Sequence, residues 1–241
     1  MKDLLPILNQ RKSRRTYLPI PVEKEKLNNI QNSINQYNEE SGLSFELLED
    51  GSDAFNGLLK SYGLFSNVRS LLVLKGQKDD IHLDEKCGFY GELLLLQAEK
   101  LNLGTCWVGV TFDMKNSVLN IGKEEHLVSV ITFGNTSEQI TWKENFFRTV
   151  SHGKARPLTR FYKADKTPSD WFLEGVKAVQ KAPSAVNRQN YLLEYKNDEI
   201  SISTDNTKKF DMVDLGIAKV HFCIAVEGIF ELGNPAIYRK K

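Results

Sequence analysis

The sequence predicts an α+β protein built around two long, buried helices. Two runs of helical length, Asp84 to Leu103 and Met212 to Leu232, carry apolar residues around nearly their whole circumference, and a helix apolar on all sides belongs inside a protein. Short apolar runs bounded by turn residues lie around them and read as strands. The chain has 241 residues, 41% of them apolar and 26% charged, so it is of ordinary globular composition and long enough to bury a sizeable core.

In order, the chain opens with a basic run, Arg11-Lys12-Ser13-Arg14-Arg15, and an extended Pro19-Ile20-Pro21 segment. A helix is expected from Glu23 to about Asn38, with Leu27, Ile30 and Ile34 at helical spacing. Phe45 to Leu48 and Ser70 to Leu74 read as strands, the second from the continuous run Leu71-Leu72-Val73-Leu74. The first long helix carries Phe89, Leu93 to Leu96, Ala98 and Leu101, and Gly104 is expected to cap its end. A strand is expected at Leu127 to Phe133, then a charged, aromatic connector from about Trp142 to Tyr162. A helix follows from the N-cap Ser169 to Lys181, ended by Ala182-Pro183. Tyr191 to Tyr195 and Glu199 to Ser203 form a hairpin, and the second long helix closes the chain with Gly233 as its cap.

The two parts echo each other. Sliding Gly104 onto Gly233 superposes two apolar helices with the same Leu-Gly ending, and the passage ending in Phe45-Glu46-Leu47-Leu48 resembles the one ending in Tyr191-Leu192-Leu193-Glu194. A degenerate duplication with halves 1–148 and 149–241 explains both helices, because each buries its outer face against the other.

Several function classes find no support. A net charge of +1 gives no general field for nucleic acid or anionic membranes. No apolar stretch reaches the ~18 residues of a membrane span, and Met1 to Arg15 holds no signal-peptide core. The three separated cysteines, Cys87, Cys106 and Cys223, make no disulfide framework, and a cytoplasmic location is expected. Dinucleotide, P-loop and hydrolase-nucleophile motifs are missing. The four histidines lack metal-ligand spacing, so no metal is expected, and His221 reads as a satisfied core histidine.

Four segments could carry chemistry. In extended backbone Arg11, Ser13 and Arg15 share a face, and two guanidinium forks flanking a hydroxyl suit a phosphate dianion. The same five residues also read as a solvated basic terminus. In Ala182-Pro183-Ser184-Ala185-Val186-Asn187-Arg188-Gln189, the proline ends a helix and short side chains admit a flat ligand. There Asn187 and Gln189 offer donors and acceptors. Alone it is equally a helix-to-loop transition. In Leu103 to Gly109, Gly109 permits close approach of backbone to a ring, Trp107 reads as a core aromatic, and Cys106 has no basic neighbour in sequence to make it reactive. Lys154-Ala155-Arg156 places two cations on alternate positions, and by itself reads as a connector.

Together these segments resemble the FMN-dependent nitroreductase family, and more closely its single-chain branch of two fused halves. Arg11-Lys12-Ser13-Arg14-Arg15 is similar to the family's Arg-x-Ser-x-Arg motif, which implies contact with the FMN phosphate and ribityl chain. Pro183, Ser184, Ala185, Asn187 and Gln189 match its Ala-Pro-Ser-x-x-Asn-x-Gln motif, which contacts the isoalloxazine ring; Val108 and Gly109 match the loop along the flavin. Lys154 and Arg156 match a Lys-x-Arg pair near the phosphate. The resemblance implies a nitroreductase-like fold: a pseudo-dimer of two related halves, with antiparallel sheets and the two long helices packed together. The first half has the phosphate motif but no Pro-Ser-x-x-Asn within Asn32 to Ser44; the second half has the reverse. One complete site, hence one FMN per chain, follows.

The implied activity passes reducing equivalents from NAD(P)H through FMN to a small acceptor such as a nitroaromatic or quinone. The ring performs the redox step while the protein orients it. Lys12 is the candidate cation for charge on the reduced ring, and no side chain is assigned as acid or base. A monomer is expected, because the chain mimics a dimer. A flavin-binding sensor or carrier and a flavin-free interaction module remain as alternatives.

Overall fold

The computed structural model describes residues 1–56, 64–141, 144–145 and 156–240. Its helices are α1 (Leu5–Gln10), α2 (Lys24–Ser41), α3 (Leu83–Lys100), α4 (Asp170–Gln180) and α5 (Asp211–Ala225). Its strands are β1 (Glu46–Leu48), β2 (Ser70–Gln77), β3 (Gly104–Val108), β4 (Glu125–Gly134), β5 (Tyr162–Ala164), β6 (Leu192–Lys196), β7 (Glu199–Ser203), β8 (Gly228–Phe230) and β9 (Ala236–Lys240). The chain forms two compact units. One comprises Arg11–Leu83 and Leu93–Val150; the other comprises Met1–Gln10, Asp84–Glu92 and Ser151–Lys241.

The unit containing Arg11–Leu83 has a four-stranded antiparallel sheet in the order β1-β2-β4-β3. Leu71 and Val73 join Tyr17, Phe55, Val108, Phe112 and Val130 in a core on one face. Leu72 and Leu74 alternate to the other face and are equally buried. A strand covered on both faces is written as a continuous apolar run, which is why Leu71 to Leu74 shows no alternation. Helix α2 ends where Gly42 takes φ 72°, a left-handed C-terminal cap.

The cap expected at Gly104 belongs to Asn102 instead. Asn102 adopts φ 61°, the amide of Leu103 returns to the Ala98 carbonyl (3.1 Å), and that of Asn102 to Glu99 (2.9 Å). Asparagine tolerates this conformation, so the glycine serves another purpose. Gly104 opens β3, where a Cβ would stand 2.4 Å from Thr136 and 2.9 Å from the Arg14 side chain.

The unit containing Ser151–Lys241 has a five-stranded sheet in the order β5-β6-β7-β9-β8, with β5 parallel to β6 and the rest antiparallel. The β6–β7 hairpin turns through Asn197 and Asp198, at φ 52° and 64°, the left-handed pair of a two-residue turn. Helix α5 is shorter than the apolar run suggests. It ends at Ala225, and the run continues as β8; Gly233, at φ 111°, lies in the β8–β9 connection and caps no helix. Apolar residues supply both elements, so hydrophobicity alone does not mark the change.

Within this unit α5 crosses the first half of α3 backbone to backbone. A Cβ on Gly88 would lie 2.1 Å from the Val213 carbonyl, and one on Gly216 2.1 Å from that of Glu85. Helix α4 lies against α5 at Gly175, where a Cβ would meet the Phe222 ring at 2.3 Å. Phe172, Tyr195, Phe222, Phe230 and Tyr238 form an aromatic cluster there. Two buried side chains of α5 are paired: His221 bonds Glu92 (2.9 Å) and the Ala178 carbonyl (3.0 Å), and Lys219 pairs with Glu85. Ser169 stands at the N-cap of α4, but its buried hydroxyl makes no capping bond.

Setting aside α1, β5 and the first half of α3 in the Ser151–Lys241 unit, both units run helix-strand-strand-helix-strand-strand, α2-β1-β2-α3-β3-β4 and α4-β6-β7-α5-β8-β9. Their sheets share one order, β1-β2-β4-β3 and β6-β7-β9-β8. Gly88→Ala and Gly216→Ala each insert a methyl against backbone that has no rotamer with which to yield. Each is expected to cost about 2 kcal/mol or more in urea unfolding; a change within about 0.5 kcal/mol would contradict the close crossing.

Candidate functional site

The predicted phosphate motif runs along the edge strand β3. Ser13 forms a parallel bridge with Thr105, and the Arg14 amide donates to the Thr105 carbonyl at 2.8 Å. Side chains alternate about this extended segment. Arg11 donates to Ser13 Oγ (3.2 Å), and Arg11, Ser13 and Arg15 all act on Cys106. Burial pushes the Cys106 thiol up, although Arg15, Arg11 and Ser13 all oppose that shift, so Cys106 is an inert packed thiol. Arg14 turns to the other side, where it reaches Glu144 Oε1 (3.2 Å), Thr136 Oγ1 (3.1 Å) and the carbonyls of Ser137 and Gln139. Lys12 is exposed.

Glu144 fixes this segment. Its Oε1 accepts the amides of Arg15 (2.7 Å) and Thr16 (3.2 Å), and its Oε2 accepts the Thr141 amide (3.0 Å) and hydroxyl (3.1 Å). Burial opposes its charge, but the Arg15 and Thr141 amides and the Arg14 guanidinium together hold the carboxyl below the usual glutamate value. Sequence reasoning missed Glu144, because an acid in a charged connector gives no sign of burial.

The loop after α4 is irregular and strained. Val186, Asn187 and Gln189 have φ of 45°, 54° and 48°, and a β-branched residue at positive φ is a backbone outlier. The loop's polar groups close on one another: Asn187 N to Ser184 O (2.9 Å), Arg188 N to Ala185 O (3.1 Å) and Gln189 N to Ser184 Oγ (2.9 Å). Gln189 is buried, and its Nε2 donates inward to the Gln180 carbonyl at 2.7 Å. Pro183, Ser184, Ala185 and Asn187 are half-buried, and Val186 is 83% exposed.

Two acids of α5 lie beneath this loop. Both carboxylate oxygens of Asp214 stand 3.1 Å from the Ala185 amide. Asp211 accepts Arg188 Nη1 (3.0 Å) and the amides of Thr207 and Lys208 (both 2.9 Å). Burial pushes Asp214 up to about 7; the Ala185 amide and Arg188 pull the other way, and Asp211 adds to the rise.

The remaining predicted residues divide. Arg156 donates to the carbonyls of Arg188 (2.6 Å) and Asn187 (3.3 Å), so it braces the loop after α4. Lys154 lies outside the described residues. Val108 is buried in the core, its carbonyl taken by Ser129 Oγ (3.0 Å), and Gly109 is half-buried just beyond β3. Among the described residues no group of His, Cys, Asp and Glu could hold a metal ion, and no helix is long and apolar enough to cross a membrane.

Residues 3–226 match the family described as "Putative TM nitroreductase", and the chain belongs to that family. The "putative nitroreductase" of Thermotoga maritima is similar to it over 98% of this chain and 91% of that one, at 21% identity and a TM-score of 0.66. This likeness shows a nitroreductase-like α+β fold. An FMN-dependent nitroreductase from Clostridium difficile is similar over 56% of this chain and 88% of that one, at 23% identity and a TM-score of 0.46. A nitroreductase with bound FMN from Bacteroides fragilis is similar over 58% and 91%, at 15% identity and a TM-score of 0.46. No curated protein sequence matches the chain.

Glu144→Ala removes the acceptor of three amides and leaves Arg14 without its carboxylate. It is expected to cost about 3 kcal/mol at neutral pH. The native carboxyl is held below the ordinary glutamate value, so this stabilisation is present above that value and fades as pH falls through the lowered native one. Chemical denaturation at pH 7 and in acid reads both; an equal gap at both would contradict it.

Proposed function

We propose that this chain is a soluble, cytoplasmic oxidoreductase that passes reducing equivalents from NAD(P)H through a single bound FMN to a small acceptor such as a nitroaromatic or quinone. Membership of the nitroreductase family supports the reaction class. The observation that carries the cofactor is the alternation in the basic segment: Arg11, Ser13 and Arg15 share one side of the strand while Arg14 is committed to Glu144 on the other. Two guanidinium groups around a hydroxyl are a donor set that fits a phosphate dianion.

When bound, FMN supplies the redox chemistry; the chain supplies position and charge. In this reading Arg11, Ser13 and Arg15 hold the phosphate end. Pro183, Ser184, Ala185, Asn187 and Gln189 present a rigid loop to the ring, with Val108 and Gly109 offering close backbone approach. The family resemblance assigns Lys154 to the phosphate, and Arg156 acts by bracing the loop. Lys12 faces solvent and is the cation available to favour negative charge on the reduced ring.

We also read the chain as a fused pair, divided near residues 148 and 149, with one complete site and a monomeric state. The shared element order and strand order of the two units support this. The counterpart of Gly104 is then Gly228, which opens β8 as Gly104 opens β3.

Purified protein should be yellow, with a single FMN per chain, and should oxidise NADH or NADPH in the presence of a nitroaromatic or quinone. Arg11→Ala with Arg15→Ala is expected to weaken FMN binding by about tenfold or more, since each loses charge-assisted hydrogen bonds. Flavin bound without turnover would favour a sensor or carrier. Protein that takes up no added FMN would favour an interaction module and end the enzymatic reading.

A further inference from the structure

We propose that Asp214 is a positioning residue: through the Ala185 amide, it sets the geometry of the loop Ser184 to Gln189. This rests on the reading of that loop as the part presented to the flavin ring. Asp214 is 4% exposed, and both of its oxygens face a single amide. That amide belongs to the residue just before the left-handed Val186 and Asn187.

Strained backbone persists only where its surroundings over-determine it. Here the loop's internal bonds link residues 184 to 189, while Asp214 and the Arg188–Asp211 pair tie the loop to α5 and Arg156 ties it to the segment before β5. Of these anchors, Asp214 alone reaches the stretch before the turn. The sequence motif describes the loop and says nothing of this acid, which stands 29 residues further along the chain.

The anchor also carries a sign. Burial holds the Asp214 carboxyl up to about 7, well above the ordinary aspartate range, and the Ala185 amide offsets only part of that rise. The groups around it are Asp211 on the same helix, Arg188 of the loop, and Tyr191, which itself lies near Arg156 and Glu92. An opened loop admits water and returns the carboxyl toward its ordinary value, so the closed loop binds the proton more tightly. Raising pH through about 7 therefore favours opening.

Amide exchange of residues 185 to 189 in the full, flavin-free chain tests this, read as protection factors at pH 6 and pH 8. Asp214→Ala should lower loop protection by about tenfold, with the β6–β7 hairpin unchanged. Asp214→Asn, which keeps an acceptor, should retain the protection and lose its fall between pH 6 and 8. Native protection of the loop in a folded Asp214→Ala chain would overturn the assignment. If that variant does not fold, Asp214→Asn decides alone: a flat profile supports the assignment, and the wild-type pH dependence overturns it. FMN titration of the same samples separates the two readings. A chain that takes up no flavin sinks the proposed function and leaves exchange to judge the anchor. Flavin binding with an unmoved loop sinks the anchor alone.

Discussion

Peptide groups that leave helix and sheet must still find acceptors when they are buried. Two carboxylates meet that demand in the two segments proposed to hold the cofactor: Glu144 gathers the amides of Arg15, Thr16 and Thr141, and Asp214 takes that of Ala185. Their electrostatics diverge. Several donors and a guanidinium keep Glu144 ionised, whereas Asp214 has a single amide and a neighbouring acid. Arg14 shows the same division of labour within a motif. Arg14 turns to Glu144 and Thr136, while Arg11, Ser13 and Arg15 lie toward Cys106 on the other side of the segment.

Close approach of backbone is the second organising feature. Gly88, Gly104, Gly175 and Gly216 all stand where a methyl group would collide with a neighbour. They mark three junctions: helix on helix at Gly88 and Gly216, helix on ring at Gly175, strand on the incoming basic segment at Gly104. An apolar helix can be sunk to backbone contact only if its small residues fall on the crossing, and α5 has Gly216 there.

Local signals were legible where one physical cause produced them. Leu27, Ile30 and Ile34 announce α2, the run Leu71 to Leu74 announces β2, and the runs Tyr191 to Tyr195 and Glu199 to Ser203 announce the β6–β7 hairpin. Glycine was misread at Gly104 and Gly233, because a cap, a close approach and a turn all select the same residue. Strand β3, five residues directly after a helix, has no polar alternation to separate it from a loop. Strand β8 shares its hydrophobicity with the helix before it, and β9 ends in charged residues. In the site, the motifs are contiguous and readable. Their supports, Glu144 and Asp214, lie 129 and 29 residues from the Arg15 and Ala185 amides and acquire those roles only through folding.

The end of the chain gains meaning from Lys219. This lysine is 1% exposed, and besides Glu85 its ammonium is met by the carbonyls of Glu231 (3.0 Å) and Gly233 (2.9 Å), while the Gly233 amide returns to Glu85 (2.8 Å). The family match stops at residue 226, before β8 begins. The terminal hairpin is nevertheless no appendage, since it completes the solvation shell of a cation sealed in the helical interior. Shortening the chain there would leave that ammonium short of oxygen, and water would have to enter among the helices in its place.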